Sequence, residues 1–202
     1  MTEAAAPAPA TAGVGLRRAS AIWVLLAGIV GEVASFVLSV EKIRLLQNPS
    51  YVPSCSINPV LSCGSVMMTK QASLFGFPNP LLGIAAFAVV IVTGVLAVGG
   101  IRLPRWYWSG LTAGTLLGVV FIHWLIYQTL YRIGALCPYC MVVWVITMAL
   151  AVVVCSIALR PLAGNAIFAV LYQWRWPLYA LWVTAVALMI LDRFWTYWST
   201  LI

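Results

Sequence analysis

Five long apolar runs dominate the chain, at about residues 20–40, 80–99, 107–131, 138–159 and 177–195. Each is close to the ~20 residues a helix needs to cross a bilayer's hydrocarbon core. The pattern predicts an all-α integral membrane protein with five transmembrane helices. Between the first two runs lies a stretch rich in Pro, Ser, Asn and Gly, at about 42–79, which reads as a long loop. The other connections are short. Gly99-Gly100 with Pro104 closes one, and Arg160-Pro161 through Pro177 closes another. Residues 1–16, mostly Ala, Pro and Thr, predict a disordered cytoplasmic tail. Residues 17–202 then form a single membrane domain. Arg17 and Arg18 precede a run long enough to span, so the start does not read as a cleaved signal peptide.

Composition sharpens this picture. Of the 202 residues, 64% are hydrophobic and only 7% charged, against about 25% charged in soluble domains. A soluble fold of this size has no means of hiding that much apolar surface. The net charge of +7 lacks the clustered basic patch that nucleic-acid binding requires. It fits basic anchoring at one membrane face. With the N-terminus inside, that face holds Arg17, Arg18, Arg102, Arg105, Arg160 and Arg175, and the outer face holds Lys42, Arg44, Lys70, Arg132 and Arg193. Trp and Tyr gather at the expected boundaries, at 106–108, 174–179 and 195–198, where amphipathic rings settle at headgroup level.

Chemistry enters with the five cysteines. Cys55 and Cys63 lie in the long loop, Cys137 and Cys140 form Cys-Pro-Tyr-Cys, and Cys155 sits within an apolar run as a packing residue. Topological parity places the two pairs together: the loop follows span one, the motif follows span three, and both connections lie on one side. If that side is the outer one, disulfides persist there. Cys137 and Cys140 open span four, where the positive end of a helix favours a thiolate. Pro138 suits a first helical turn, because its missing N–H would be unpaired anyway. The stretch from Ser62 to Thr69 predicts a short helix capped by Ser62. The loop is long enough to fold over the bundle mouth and bring Cys63 to Cys137, where exchange runs through a mixed disulfide. Bland readings stand beside this one: four cysteines also suit zinc, and two pairs suit static structural disulfides. A redox relay, with no metal, accounts best for a Cys-x-x-Cys at a helix start facing a second pair.

The five-span pattern, "CSINPVLSCGSVM" in the loop, "SLFGFPNPLLG" before span two and "CPYC" at span four together resemble the vitamin K epoxide reductase family in its bacterial form, over about residues 20–195. The resemblance implies a four-helix bundle around a quinone, menaquinone or ubiquinone, with one peripheral helix. It implies a bacterial inner-membrane enzyme that oxidises an extracytoplasmic thioredoxin-like partner and supports disulfide formation. By motif position, Cys55 resembles the cysteine that meets the partner and Cys63 the one that relays inward. Cys137 resembles the receiver, Cys140 the quinone-proximal cysteine, and Asn79 a quinone-binding asparagine. Animal members have a tyrosine four residues after the last motif cysteine; here that position is Trp144, so the contact is not carried over. Many bacterial relatives carry a fused thioredoxin-like domain after span five, and this chain stops at Ile202, so the partner is expected to be a separate protein.

Glu32 within span one and His123 within span three are the remaining polar candidates, each with a structural reading beside a proton-handling one. Three rivals lead elsewhere. A four-span periplasmic disulfide oxidase would place its redox motif before an earlier span. A thiol-reductant transporter would need cysteines within the membrane reachable from both faces. A non-enzymatic scaffold stapled by disulfides would hold one static pattern and no quinone.

Overall fold

The computed structural model describes residues 13–159 and 166–200. Seven α-helices are found among them: α1 (Arg18–Gln47), α2 (Cys63–Met67), α3 (Pro80–Val98), α4 (Arg105–Gln128), α5 (Pro138–Ala158), α6 (Ala166–Arg193) and α7 (Trp195–Trp198). Five of these, α1, α3, α4, α5 and α6, are long and apolar enough to cross a membrane, α4 with the π-helical turn that follows it. The chain is therefore all-α and multi-pass. Helices α1, α3, α4 and α5 form the bundle. Helix α6 has no buried residue and packs on the outside against α5.

Small side chains set the closest approach. Ala27, Gly28, Gly31, Ala34 and Ser35 bury one face of α1 against Phe87, Val90 and Gly94 of α3. A Cβ added at Gly94 would stand 2.6 Å from the Leu25 Cα. Two backbones approach that closely in lipid only where the side chain is absent, so that dispersion contacts replace the missing hydrophobic drive.

Helix α1 is 30 residues long, or about 45 Å at 1.5 Å per residue. Its last turns therefore stand beyond the hydrocarbon core. There Glu41 and Lys42 are buried and bond to the loop that follows. Helix α4 ends in a π-helical turn, Thr129–Ile133, closed by Gly134 at φ +71°, a left-handed conformation that side chains disfavour. This turn reverses the chain into the Cys137 segment.

Two stretches differ from the sequence-based expectation. Helix α6 begins at Ala166 and runs through Pro177, whereas the apolar pattern put the start of the fifth span at that proline. Residues 166–176 are as aromatic and apolar as a span, and a proline is tolerated within membrane helices. Residues 1–12 of the expected tail lie outside the described residues. Residues 13–16, also assigned to it, are docked: Val14 forms an antiparallel bridge with Leu103, and Val14 and Leu16 pack with Leu103, Trp108 and Ile157.

Candidate active site

The cysteine loop is folded by its own polar side chains. Asn58 Oδ1 accepts the backbone N–H groups of Val60 and Leu61, at 3.0 and 2.7 Å, an Asx turn that Pro59 suits. The Ile57 N–H closes the turn onto Leu61 O at 2.8 Å. The next residues pair in parallel with the segment before α5. Leu136 N–H donates to Val60 O at 2.7 Å, and Ser62 N–H donates to Leu136 O at 2.8 Å. This short ladder sits immediately before Cys63 on one strand and Cys137 on the other. It is what delivers the loop pair to the helix-start motif. Ser62 then caps α2, its Oγ accepting the Ser65 N–H at 3.3 Å.

Two consecutive residues of α1 hold the loop from below. Lys42 Nζ donates to Met67 O, at the end of the helix that Cys63 begins, at 2.5 Å. Glu41 Oε1 accepts from the Ser54 hydroxyl, adjacent to Cys55, at 2.9 Å. Neither residue stood out in the sequence as a site residue. The signal was a charged pair at the end of an apolar run, which reads equally well as an interfacial anchor.

Cys55 and Cys63 form a disulfide, with Cα atoms 5.6 Å apart. Cys137 and Cys140 are free thiols. Cys63 is fully buried, and its Sγ lies 3.0 Å from Cys137 Sγ. The Cys55, Cys63 and Cys137 sulfurs all lie within 4.8 Å of one another, and Cys140 packs against the same cluster. Three thiolates in such a group would suit a metal, but two of these sulfurs are bonded to each other and offer no thiolate. What the arrangement serves directly is exchange of one sulfur–sulfur bond for another.

Cys137 occupies the N-cap of α5 with extended backbone, and Pro138 follows at the first helical position. The Cys140 thiol bonds to its sulfur and holds the Cys137 pKa below the ordinary thiol value. The backbone N–H groups of Cys140 and Tyr139 act in the same direction, against the upward push of burial. A thiolate is thus favoured at Cys137, beside a disulfide sulfur.

The other sequence candidates fall in different places. Asn79 is the N-cap of α3, and its side chain serves the loop: Nδ2 donates to Gln71 O at 2.7 Å, and Oδ1 accepts Leu74 N–H at 3.0 Å. Its second amide hydrogen has no partner among the described residues. His123 is held between Val119 O, 2.7 Å from Nδ1, and Trp182, whose indole N–H donates to Nε2 at 2.9 Å. Through these two bonds His123 ties α6 to α4. Glu32 Oε2 is buried without a partner among the described residues. Trp144, one turn beyond Cys140 on α5, is buried with its indole N–H likewise unpartnered. It packs with Ile122, Ile126, Leu130 and the Cys140 side chain.

A protein-family model described as the vitamin K epoxide reductase family matches residues 22–155, more than half of the chain. The chain belongs to the vitamin K epoxide reductase family. A search of curated proteins found no match. The matched region runs from α1 to near the end of α5 and includes both cysteine pairs. Vitamin K epoxide reductase family membership, five apolar helices and a cysteine pair joined as a disulfide make this a membrane thiol–disulfide oxidoreductase in broad class. Members of the family are in general linked to quinones.

Proposed function

We propose that the protein oxidises the dithiol of an extracytoplasmic thioredoxin-like partner and passes the electrons inward, through Cys55 and Cys63 and then Cys137 and Cys140, to a membrane quinone. The observation that carries this reading is the 3.0 Å approach of Cys137 to Cys63 while Cys63 remains bonded to Cys55.

The sulfur positions correspond to the end of one transfer. A partner thiolate attacks Cys55, and the partner leaves as a disulfide with Cys55 and Cys63 reduced. The Cys63 thiolate then attacks Cys137 of the oxidised motif, forming a Cys63–Cys137 bond and expelling the Cys140 thiolate, which takes a proton. Cys55 as thiolate attacks Cys63, restoring the Cys55–Cys63 disulfide and releasing Cys137 as a thiolate. Each step breaks one sulfur–sulfur bond and forms one, and two electrons move inward. The low Cys137 pKa eases its departure, because a more acidic thiol leaves faster. Val52 and Ile57, both about 70% exposed, flank buried Cys55 and offer an apolar surface on which a partner would settle and open the loop.

The residues beneath Cys140 fit a quinone. Ile122, Ile126, Leu130 and Met148 supply apolar walls, and the orphaned indole N–H of Trp144 supplies a donor for a carbonyl. The second amide hydrogen of Asn79 is another donor in this reading. A quinone held there supplies the terminal oxidant, taking up two electrons and two protons. With the N-terminus cytoplasmic, in a bacterial inner membrane, the cysteines face outward.

The test is oxidation of a reduced thioredoxin-like protein by the purified chain with added menaquinone or ubiquinone. Quinone-dependent turnover that C137A and C140A each abolish supports the reading. Undiminished turnover in either variant removes the relay.

A further inference from the structure

At the end of the bundle opposite the cysteines, the segment before α1 and the α3–α4 connection border an open cleft of about 540 Å³. Arg17 and Arg102 line it on two sides, with Val14, Leu16 and Ala97 as apolar wall. Its two polypeptide walls are tied together: Val14 N–H donates to Leu103 O at 2.8 Å, and Leu103 N–H to Val14 O at 3.3 Å. The cleft is therefore framed by docked backbone, not by loosely apposed side chains.

Neither guanidinium has a hydrogen bond or ion pair among the described residues. The reason lies in the placement of the four acidic residues. Glu32 is midway along α1, while Glu41 and Asp192 lie at the cysteine end of their helices. Glu3 lies outside the described residues. Two exposed arginines thus line one cleft without a counter-ion among the described residues.

The level of the cleft in the membrane selects the ligand. It lies where α1 and α4 start and α3 ends. Trp106, 73% exposed, and Tyr107, whose hydroxyl bonds Thr93 Oγ1 at 2.5 Å, stand at the same boundary. Such rings mark headgroup depth. An anion reaching this point most readily is one carried by the bilayer. Planar guanidinium groups match phosphate oxygens two at a time, and basic pockets at helix ends hold acidic head groups.

We propose that this cleft binds the phosphodiester of an anionic phospholipid, with Arg17 and Arg102 on the phosphate and Val14, Leu16 and Ala97 along the glycerol and first acyl carbons. The site is separate from the cysteines and stands whether or not the relay does.

The test uses the full chain in a neutral detergent, with binding of short-chain phosphatidylglycerol, short-chain phosphatidylcholine and inorganic phosphate each titrated by thermal shift. Phosphatidylglycerol is expected to bind about tenfold or more tighter than phosphatidylcholine. R17Q/R102Q should abolish that preference, and R105Q, a neighbouring arginine outside the cleft, should keep it. Equal binding of the two lipids by the unaltered chain overturns the proposal without recourse to any variant. Inorganic phosphate acting at the same concentration as phosphatidylglycerol replaces a lipid site with a free-phosphate site. Loss of preference in R105Q as well reduces the effect to general surface charge.

Discussion

The acidity of Cys137 rests on one neighbour, and replacing that neighbour tests the reasoning. The Cys140 thiol is the leading cause of the lowered Cys137 pKa, with two backbone N–H groups contributing less. A hydrogen bond to a charged acceptor contributes about 1.5–3 kcal/mol, and a thiol is a weak donor, so the lower end applies. Losing it therefore raises the Cys137 pKa. The sign follows directly: the bond favours the charged form, so the thiolate persists to lower pH with the bond than without it. The assay is the pH dependence of Cys137 alkylation by iodoacetamide, followed by peptide mass spectrometry in a C55A/C63A background where no other sulfur competes. The reactivity midpoint should lie below that of an ordinary thiol with Cys140 present. It should move up in C140A and return in C140S, whose hydroxyl donates in the same place. Superimposed profiles for the C140A chain and its parent would refute the assignment of the shift to Cys140.

Further predictions concern the scaffold. N58A leaves two loop N–H groups without their acceptor, at about 1–3 kcal/mol each where they are buried; Cys63–Cys137 exchange should slow while helix content by circular dichroism stays unchanged. G94V places a side chain against the Leu25 backbone, so the thermal midpoint should fall, with an overpacking cost of about 1–3 kcal/mol or more. W182F removes the His123 partner and should loosen α6, read as faster proteolysis between α5 and α6, with thiol oxidation unaffected.

The five spans were legible because lipid demands a long apolar run for each crossing, and that demand is local. The Ser62 cap and the Pro138 helix start were legible for the same reason, since each signal lies within a few residues. Pairing across distance is legible only in part: the loop's length offers the approach of Cys63 to Cys137, but not the contacts that fix it. The Leu61–Leu136 ladder has no strand periodicity, yet it sets which loop cysteine meets Cys137. Glu41 and Lys42 read as anchors because nothing local shows that Ser54 and Met67 return to them. Asn79 shows the converse: its position suggested a ligand contact, and its amide is largely taken up by Gln71 and Leu74. Residues 166–176 are helical where Pro177 suggests a boundary, because the flanking aromatic residues continue the helix through it.

The central claim is that Cys63 and Cys137 exchange electrons through a bond between them. In C55S/C140S both resolving cysteines are gone, so a bond formed between the remaining two has no route to release. Mild oxidation of that variant in membranes, followed by non-reducing peptide mapping, should recover the Cys63–Cys137 disulfide as the dominant species, in keeping with sulfurs 3.0 Å apart. Two free thiols at these positions after oxidation would contradict the account.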